Sequence, residues 1–94
     1  MSYVRVGIYT LKGDAQKVID EINSSALPMY QKESGFVSYS VAMTDDNTII
    51  SSSVWETKEA ADKAREMMQD WASETVASEV SFKEDFVGEV VIQG

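Results

Sequence analysis

Apolar and other residues alternate through YVRVGIYTL, residues 3–11, and a period of two is the pattern of a β-strand. Val4, Val6 and Ile8 fall on one face, and Tyr3, Arg5, Gly7, Tyr9 and Leu11 on the other. The period then changes. In GDAQKVIDEINSSALPMYQKES, Ala15, Val18, Ile19, Ile22, Ala26 and Met29 recur at helical spacing, and Gly13 or Asp14 can serve as N-cap. Pro28, the only proline, has no N–H to donate and disfavours a helical Leu27. The helix is therefore expected to kink or break there, with Met29 to Ser34 as a last turn or short second helix and Gly35 ending it.

GFVSYSVAM and NTIISSSVWE read as a hairpin joined through TDDN. A two- or four-residue connection sets Met43 opposite Ile50, Val41 opposite Ser52 and Tyr39 opposite Val54. That register, the one expected here, gathers Val37, Tyr39, Val41, Met43, Ile50 and Val54 on one face. Phe36, Ser38, Ser40, Ala42, Ser51, Ser53 and Trp55 take the other. A three-residue loop would shift the pairing and spoil that sorting. TKEAADKAREMMQDWASE is a helix capped by Thr57, with Ala60, Ala64, Met67, Met68 and Trp71 as its apolar stripe and Glu59 spaced to pair with Lys63. FKEDFVGEVVIQ is a last strand, with Phe86, Val90 and Ile92 on one side and Val87 and Val91 on the other.

The order βαββαβ predicts an α+β, ferredoxin-like domain over residues 1–94. Right-handed crossovers give a four-stranded antiparallel sheet with two helices on one face. The aliphatic face is expected beneath the helices. The remaining face, carrying Tyr3, Tyr9, Leu11, Phe36, Trp55, Val87 and Val91 among serines, is a larger apolar patch than soluble monomers usually expose. A two-fold homodimer is the expected solution, with Tyr9, Phe36, Ser51, Ser53, Trp55 and Val87 at the interface.

Composition narrows the chemistry. Sixteen acidic against eight basic residues give a net charge of −8, which disfavours nucleic-acid partners. No run is long and apolar enough for a membrane span, and MSYVRVGIYT lacks the start of a signal peptide, so a cytoplasmic location is expected. The chain has no cysteine and no histidine. Disulfides, thiolate chemistry, Cys-ligated metal and a Ser-His-Asp triad are thereby excluded. The three serines of IISSSVWE have no histidine to activate them. Alternation also divides them, with Ser52 on the pocket side and Ser51 and Ser53 on the dimer side.

The first strand, the helix broken near Leu27-Pro28, the glycine-led Gly35-Phe36-Val37-Ser38-Tyr39 and the segment Ser53-Val54-Trp55-Glu56-Thr57-Lys58-Glu59-Ala60 together resemble the antibiotic biosynthesis monooxygenase group of the dimeric α/β-barrel superfamily. The resemblance spans essentially the whole chain. It implies a homodimer, a dimeric α/β barrel, with a pocket in each subunit between sheet and helices. Some members oxygenate polycyclic aromatic compounds without metal or flavin, the substrate anion itself activating oxygen. Others degrade haem through a histidine on the second helix and an asparagine on the first strand, neither of which is present here, so that branch is set aside.

The expected function is a cofactor-independent monooxygenase acting on a small aromatic or quinol-like substrate, with no cofactor and no metal. Tyr39 is the catalytic candidate, a phenol able to hydrogen-bond a developing oxyanion. Val6, Ile8, Tyr30, Ser52, Met67, Met68 and Trp71 are the expected substrate contacts. The alternative is a non-catalytic dimer binding a hydrophobic small molecule. An isomerase or dehydratase would need a carboxylate in the pocket, and Glu56, Glu84 and Glu89 are better read as edge or surface residues.

Overall fold

The computed structural model describes residues 1–94. Its elements are β1 (Tyr3–Leu11), α1 (Ala15–Glu21), a π-helical segment (Ile22–Ala26), α2 (Leu27–Gln31), β2 (Phe36–Met43), β3 (Thr48–Trp55), α3 (Lys58–Thr75) and β4 (Val80–Glu89). The strands form one four-stranded sheet in the order β2-β3-β1-β4, and all three pairings are antiparallel. This is the ferredoxin-like arrangement expected from the sequence. No helix is long and apolar enough to cross a membrane.

The helix starts follow local chemistry. The Asp14 carboxylate accepts from the backbone N–H groups of Gln16 and Lys17, and the Thr57 hydroxyl accepts from Ala60. Each satisfies amide groups that a first helical turn leaves unpaired. Where a kink or break was expected at Pro28, a π segment precedes it, and a short second helix follows as α2, beginning at Leu27 and not Met29. The Leu27 N–H reaches back five residues to the Ile22 carbonyl, and the chain continues helically into α2. The Ser25 hydroxyl donates to the Glu21 carbonyl at 2.9 Å. Gly35 closes the region with φ +86°.

The hairpin register differs from the expected one. Met43 pairs with Ile49, Val41 with Ser51 and Tyr39 with Ser53. The Thr44 N–H donates to the Thr48 carbonyl at 2.9 Å, so the loop holds residues 45–47. Asn47 adopts φ 66°, the left-handed residue that a three-residue hairpin loop requires. This one-residue slip moves Tyr39, Val41 and Met43 to the face of Ser53, Ser51 and Ile49. Irregularities also break the period of two: the β2–β3 register shifts between Phe36 and Ser38, and the β1–β4 register between Ile8 and Tyr9. Phe36 and Tyr39 consequently share a face, as do Phe82 and Asp85.

The helices cover the aromatic and serine face of the sheet, not the aliphatic face expected. Arg5, Tyr9, Ile49, Ser51, Ser53 and Trp55 are buried there, against Val18, Ala26 and Tyr30 of the first helical region and Ala61, Ala64 and Met68 of α3. Trp55 meets Tyr30 edge-on at 5.1 Å and Phe36 at 5.5 Å, contacts that add stabilisation beyond area burial. Val4, Val6, Ile8, Ile50, Ser52 and Val54 lie on the opposite, uncovered face. Phe86, paired with Val6 and 55% exposed, joins them there. The last turn of sequence also differs from expectation, since β4 ends at Glu89 and Val91 and Ile92 are exposed. Lys63 pairs with Glu33 instead of Glu59, and Lys58 with Asp62.

Gly35 provides a test of the α2–β2 junction. A Cβ at this position would lie 3.3 Å from that of Ala60 and would sit on a left-handed backbone. Gly35→Ala is expected to lower stability by about 1–2 kcal/mol, read as a lower urea midpoint with unchanged slope. An unaltered midpoint would show that the junction tolerates a side chain.

Candidate functional site

Between the sheet and the helices lies a small cavity of about 20 Å³ lined by twelve residues, among them Tyr9, Tyr39, Ser51, Ile22, Met68 and Trp71. It has room for about one water molecule. Two open grooves flank it. One, of about 380 Å³, runs between the first helical region and β2, lined by Ile19, Ile22, Asn23, Leu27, Tyr39, Ser40, Val41 and Met43. The other, of about 350 Å³, lies between α3 and β4 and includes Tyr9, Gln69, Ala72, Val80 and Phe82. Tyr39, Val41 and Ile22 line both the cavity and the first groove. Tyr9, Ala72 and Val80 line both the cavity and the second.

The π segment shapes the first wall. The Trp71 indole N–H donates to the Ser25 hydroxyl at 2.8 Å, and that hydroxyl in turn donates to Glu21. A tryptophan of α3 is thus tied to the widened turn that holds Ile22. π-helical turns often mark functional sites.

Beside the cavity sits a polar cluster. Arg5 is 0% exposed, and its guanidinium lies over Gly7, where a Cβ would come within 2.5 Å of Nη2. Arg5 Nη2 donates to the Tyr9 hydroxyl at 3.1 Å and lies 3.6 Å from Asp85 Oδ2. Asp85 is shared: Arg65 reaches its Oδ1 at 2.8 Å, while Arg65 Nε and Gln69 Nε2 reach its Oδ2 at 2.9 and 3.1 Å. Arg5 Nε and Nη1 have no partner. Burial by itself would lower the Arg5 pKa, but the hydrogen bond to Tyr9 and the nearby Tyr9, Tyr30 and Asp85 outweigh it and raise it. The guanidinium stays charged.

Three tyrosines face this charge, and their hydroxyls differ in role. The Tyr30 hydroxyl donates to the Ala64 carbonyl at 2.8 Å and is sealed in the core. Tyr39 accepts a long 3.5 Å contact from the Ser51 hydroxyl, and Tyr9 accepts from Arg5. Both therefore keep a phenolic proton free to donate. Burial pushes the Tyr30 and Tyr39 phenols above the ordinary tyrosine value. At neutral pH Tyr39 is a hydrogen-bond donor and not a base.

The structure brings together only part of the set expected from sequence. Tyr39, Met68 and Trp71 line the cavity. Tyr30 is next to it, edge-on to Tyr39 at 5.0 Å, but does not line it, and Met67 packs on the core without reaching it. Val6, Ile8 and Ser52 are corrected: they share a face with Ile50 and Val54 as expected, but the helices cover the opposite face of the sheet, where Arg5, Tyr9, Ser51, Ser53 and Trp55 are buried. The expected dimer contacts Tyr9, Phe36, Ser51, Ser53, Trp55 and Val87 are corrected for the same reason. They lie on the face that the helices already cover. Tyr9 and Ser51 line the cavity, Trp55 donates to Ser53 at 2.8 Å, and Phe36 and Val87 pack on the core. Arg5 and Asp85 were not singled out by the sequence pattern. An arginine amid the aliphatics of YVRVGIY, four residues before a tyrosine on the same face, was the available signal.

The chain has no histidine, β1 has no asparagine, and no three potential metal ligands converge.

The tyrosines give a pH test. Their folded-state pKa values lie above the unfolded value of 10.0. Their contribution to stability is therefore complete below pH 10 and is lost as pH rises through the folded values. The urea midpoint of the wild type is expected to fall above pH 10. In a Tyr30→Phe/Tyr39→Phe variant the fall should be shallower, with the remainder belonging to other groups such as Lys17 and Lys58, whose pKa values are raised by ion pairs. Equal pH slopes in the two proteins would contradict this origin.

Comparison with known proteins places the geometry in context. Among curated proteins, none matches the chain. A cofactor-independent oxygenase from Streptomyces nogalater, SnoaB, superposes with a TM-score of 0.77 at 14% identity, covering 98% of this chain and 95% of its own. A protein of unknown function from Nitrosomonas europaea superposes at 0.72 with 14% identity, covering 100% and 94%. An uncharacterized NIPSNAP-like domain protein from Burkholderia xenovorans gives 0.67 at 12% identity, covering 99% and 89%. At these identities the likeness is one of fold. The sequence carries the family: the antibiotic biosynthesis monooxygenase model matches residues 1–74, a span that takes in every element but β4. The chain belongs to the antibiotic biosynthesis monooxygenase family.

Proposed function

We propose that this protein is a cofactor-independent monooxygenase acting on a small aromatic or quinol-like molecule, bound in the groove between the first helical region and β2. The observation that carries the reading is the position of Tyr39, which lines both that groove and the inner cavity. A groove of about 380 Å³ with six apolar lining residues of eight is in the size range of small-molecule sites. Family membership and the likeness to SnoaB, described as a cofactor-independent oxygenase, support the reaction class.

In the proposed reaction Tyr39 donates its phenolic proton in a hydrogen bond to the substrate oxygen. The interaction strengthens as that oxygen becomes an enolate, and low water access strengthens it further. For an anthrone-like CH2, the substrate loses one proton to solvent water and its anion passes an electron to O2. The two radicals then combine as a peroxide. Protonation and loss of water leave a carbonyl, so one oxygen atom enters the product and the other leaves as water. Met68 and Trp71 line the inner cavity behind Ile22 and Tyr39.

The second reading is a non-catalytic dimer that binds a hydrophobic molecule at the same groove. The small inner cavity favours it, because a molecule held in the open groove stays outside the Ile22–Tyr39 wall and is not sealed from water. Oxygen-electrode measurements with anthrone-like methylene ketones and quinols separate the two. The oxygenase reading expects stoichiometric uptake and, in Tyr39→Phe, a kcat about 100-fold lower. No uptake across the panel, with ligand-induced quenching of tryptophan fluorescence retained, would leave the binding reading.

In both readings the assembly is a homodimer joined through the uncovered face of the sheet. Val4, Val6, Ile8, Ile50 and Val54 form a contiguous aliphatic surface there, with Phe86 55% exposed beside them. Such a surface is a natural partner for its own two-fold copy. Sedimentation at micromolar concentration is expected to give a dimer, and Val6→Asp a folded monomer. A monomeric wild type would sink the assembly.

A further inference from the structure

A single layer of side chains separates the inner cavity from the groove between the first helical region and β2. Ile22, Tyr39 and Val41 line both, and the cavity, at about 20 Å³, is too small for an aromatic ring. A ligand in the groove reaches the dry space against Val18, Met68 and Val76 only if that layer parts. Two of its three members are fixed. Tyr39 and Val41 belong to β2, whose backbone is paired to Ser53 and Ser51 of β3. Ile22 alone stands outside the sheet, on the π segment.

The first helical region is anchored at its ends and lightly held in the middle. In α1, Val18 is buried and Lys17 pairs with Glu79 at 2.9 Å. In α2, the buried Tyr30 donates to the Ala64 carbonyl of α3. Between them, Ala26 is the only buried residue of the π segment, and Asn23 and Ser24 are exposed. Pro28 has no N–H, so no backbone bond runs back from it into this turn. The Ser24 and Ser25 hydroxyls both donate to the Glu21 carbonyl, at 3.4 and 2.9 Å. One side-chain hydrogen bond joins α3 to the segment, from the Trp71 indole N–H to Ser25 Oγ. Segments with few buried contacts open at lower free energy than the core that flanks them.

We infer that the π segment is a gate between groove and cavity, with Ile22 as its door and the Trp71–Ser25 hydrogen bond as its latch. When the latch parts, the Leu27–Ile22 backbone bond gives way and Ile22 leaves the wall. The edge of an aromatic ligand then passes Tyr39 into the space lined by Val18, Met68 and Val76. The sheet does not move. Ser25 and Trp71 are positioning residues that set how often the site is open. The inference rests on the reading of the groove as an aromatic-ligand site, but it concerns entry and not oxygen chemistry.

The test mixes the full-length protein under nitrogen with 1-aminoanthracene, a neutral three-ring amine whose fluorescence rises in apolar surroundings. A gate makes the observed binding rate level off at the opening rate as probe concentration rises. Ser25→Ala should raise that plateau about three- to tenfold, the factor carried by one hydrogen bond. Trp71→Phe, which keeps an aromatic ring, should do the same. Ile22→Ala removes the door, and its rate should stay proportional to probe. Native-state hydrogen exchange gives an independent readout: the Leu27 amide should exchange through a local opening indifferent to low urea, while the protected amides of β1 and β3 exchange faster as urea rises. Should Ser25→Ala fail to fold, Trp71→Phe decides. A rate proportional to probe in the wild type, a plateau unmoved by either latch variant, or a Leu27 amide that follows urea in step with the sheet would overturn the gate and leave the groove as a ligand site. No binding to either the wild type or Ile22→Ala would remove the groove reading and the gate together. Excluding oxygen keeps every outcome independent of oxygenase activity.

Discussion

Placing a guanidinium beneath two helices removes it from water at a cost of several kcal/mol, so its neighbours must compensate. Around Arg5 that requirement sets residue after residue. Position 7 has no side chain because the guanidinium occupies the space a Cβ would need. Asp85 is brought onto the same face by the register shift in the β1–β4 pairing. It is further held by Arg65 and Gln69 of α3, which ties that helix to the fourth strand through the same charge. Ser51 and Ser53 leave room on the neighbouring strand. Trp55 and Tyr30 complete the enclosure with their hydrogen bonds satisfied internally.

The first helical region carries the second constraint. Pro28 cannot donate a backbone bond, and the π segment before it absorbs the irregularity without ending the helix. The widened turn has a chemical function in the packing, because Ser25 accepts from Trp71 while donating to Glu21. The two helices are therefore linked by a directional bond above the cavity, and Ile22 and Tyr39 form the partition between cavity and groove. A rearrangement of this turn would enlarge the site without disturbing the sheet.

Element type, order and overall fold were legible because periods of two and of 3.6 recur along the chain, and Thr57 and the Gly13-Asp14 pair offer capping chemistry. The assignment of sheet faces was not legible. Aliphatic residues and aromatics compete for the core, and ranking Val4, Val6 and Ile8 as the more buried set assumes that only one face is apolar. Here both are. The hairpin loop compounded the problem: TDDN is compatible with several lengths, and the left-handed Asn47 that selects a three-residue turn is one conformation among those asparagine tolerates. Val37 then interrupts alternation within β2. Tyr39, Met68 and Trp71 were found because their helix-side position survives these errors. Ser52, Val6 and Ile8 depended on which face the helices cover and were not. Arg5 escaped notice because a charged residue in a strand is ordinarily a solvent-facing one.

Gly7 has a consequence for how this family of sequences can vary. A glycine inside a strand ordinarily weakens it, and here its only structural return is the volume given to the guanidinium. Positions 5 and 7 are thus one unit of inheritance. A side chain gained at 7 displaces the arginine, and an arginine lost at 5 leaves a void that a larger residue at 7 would fill. Relatives that carry the pair and relatives that have lost it should differ at both positions together, and with them in the charge of the interior.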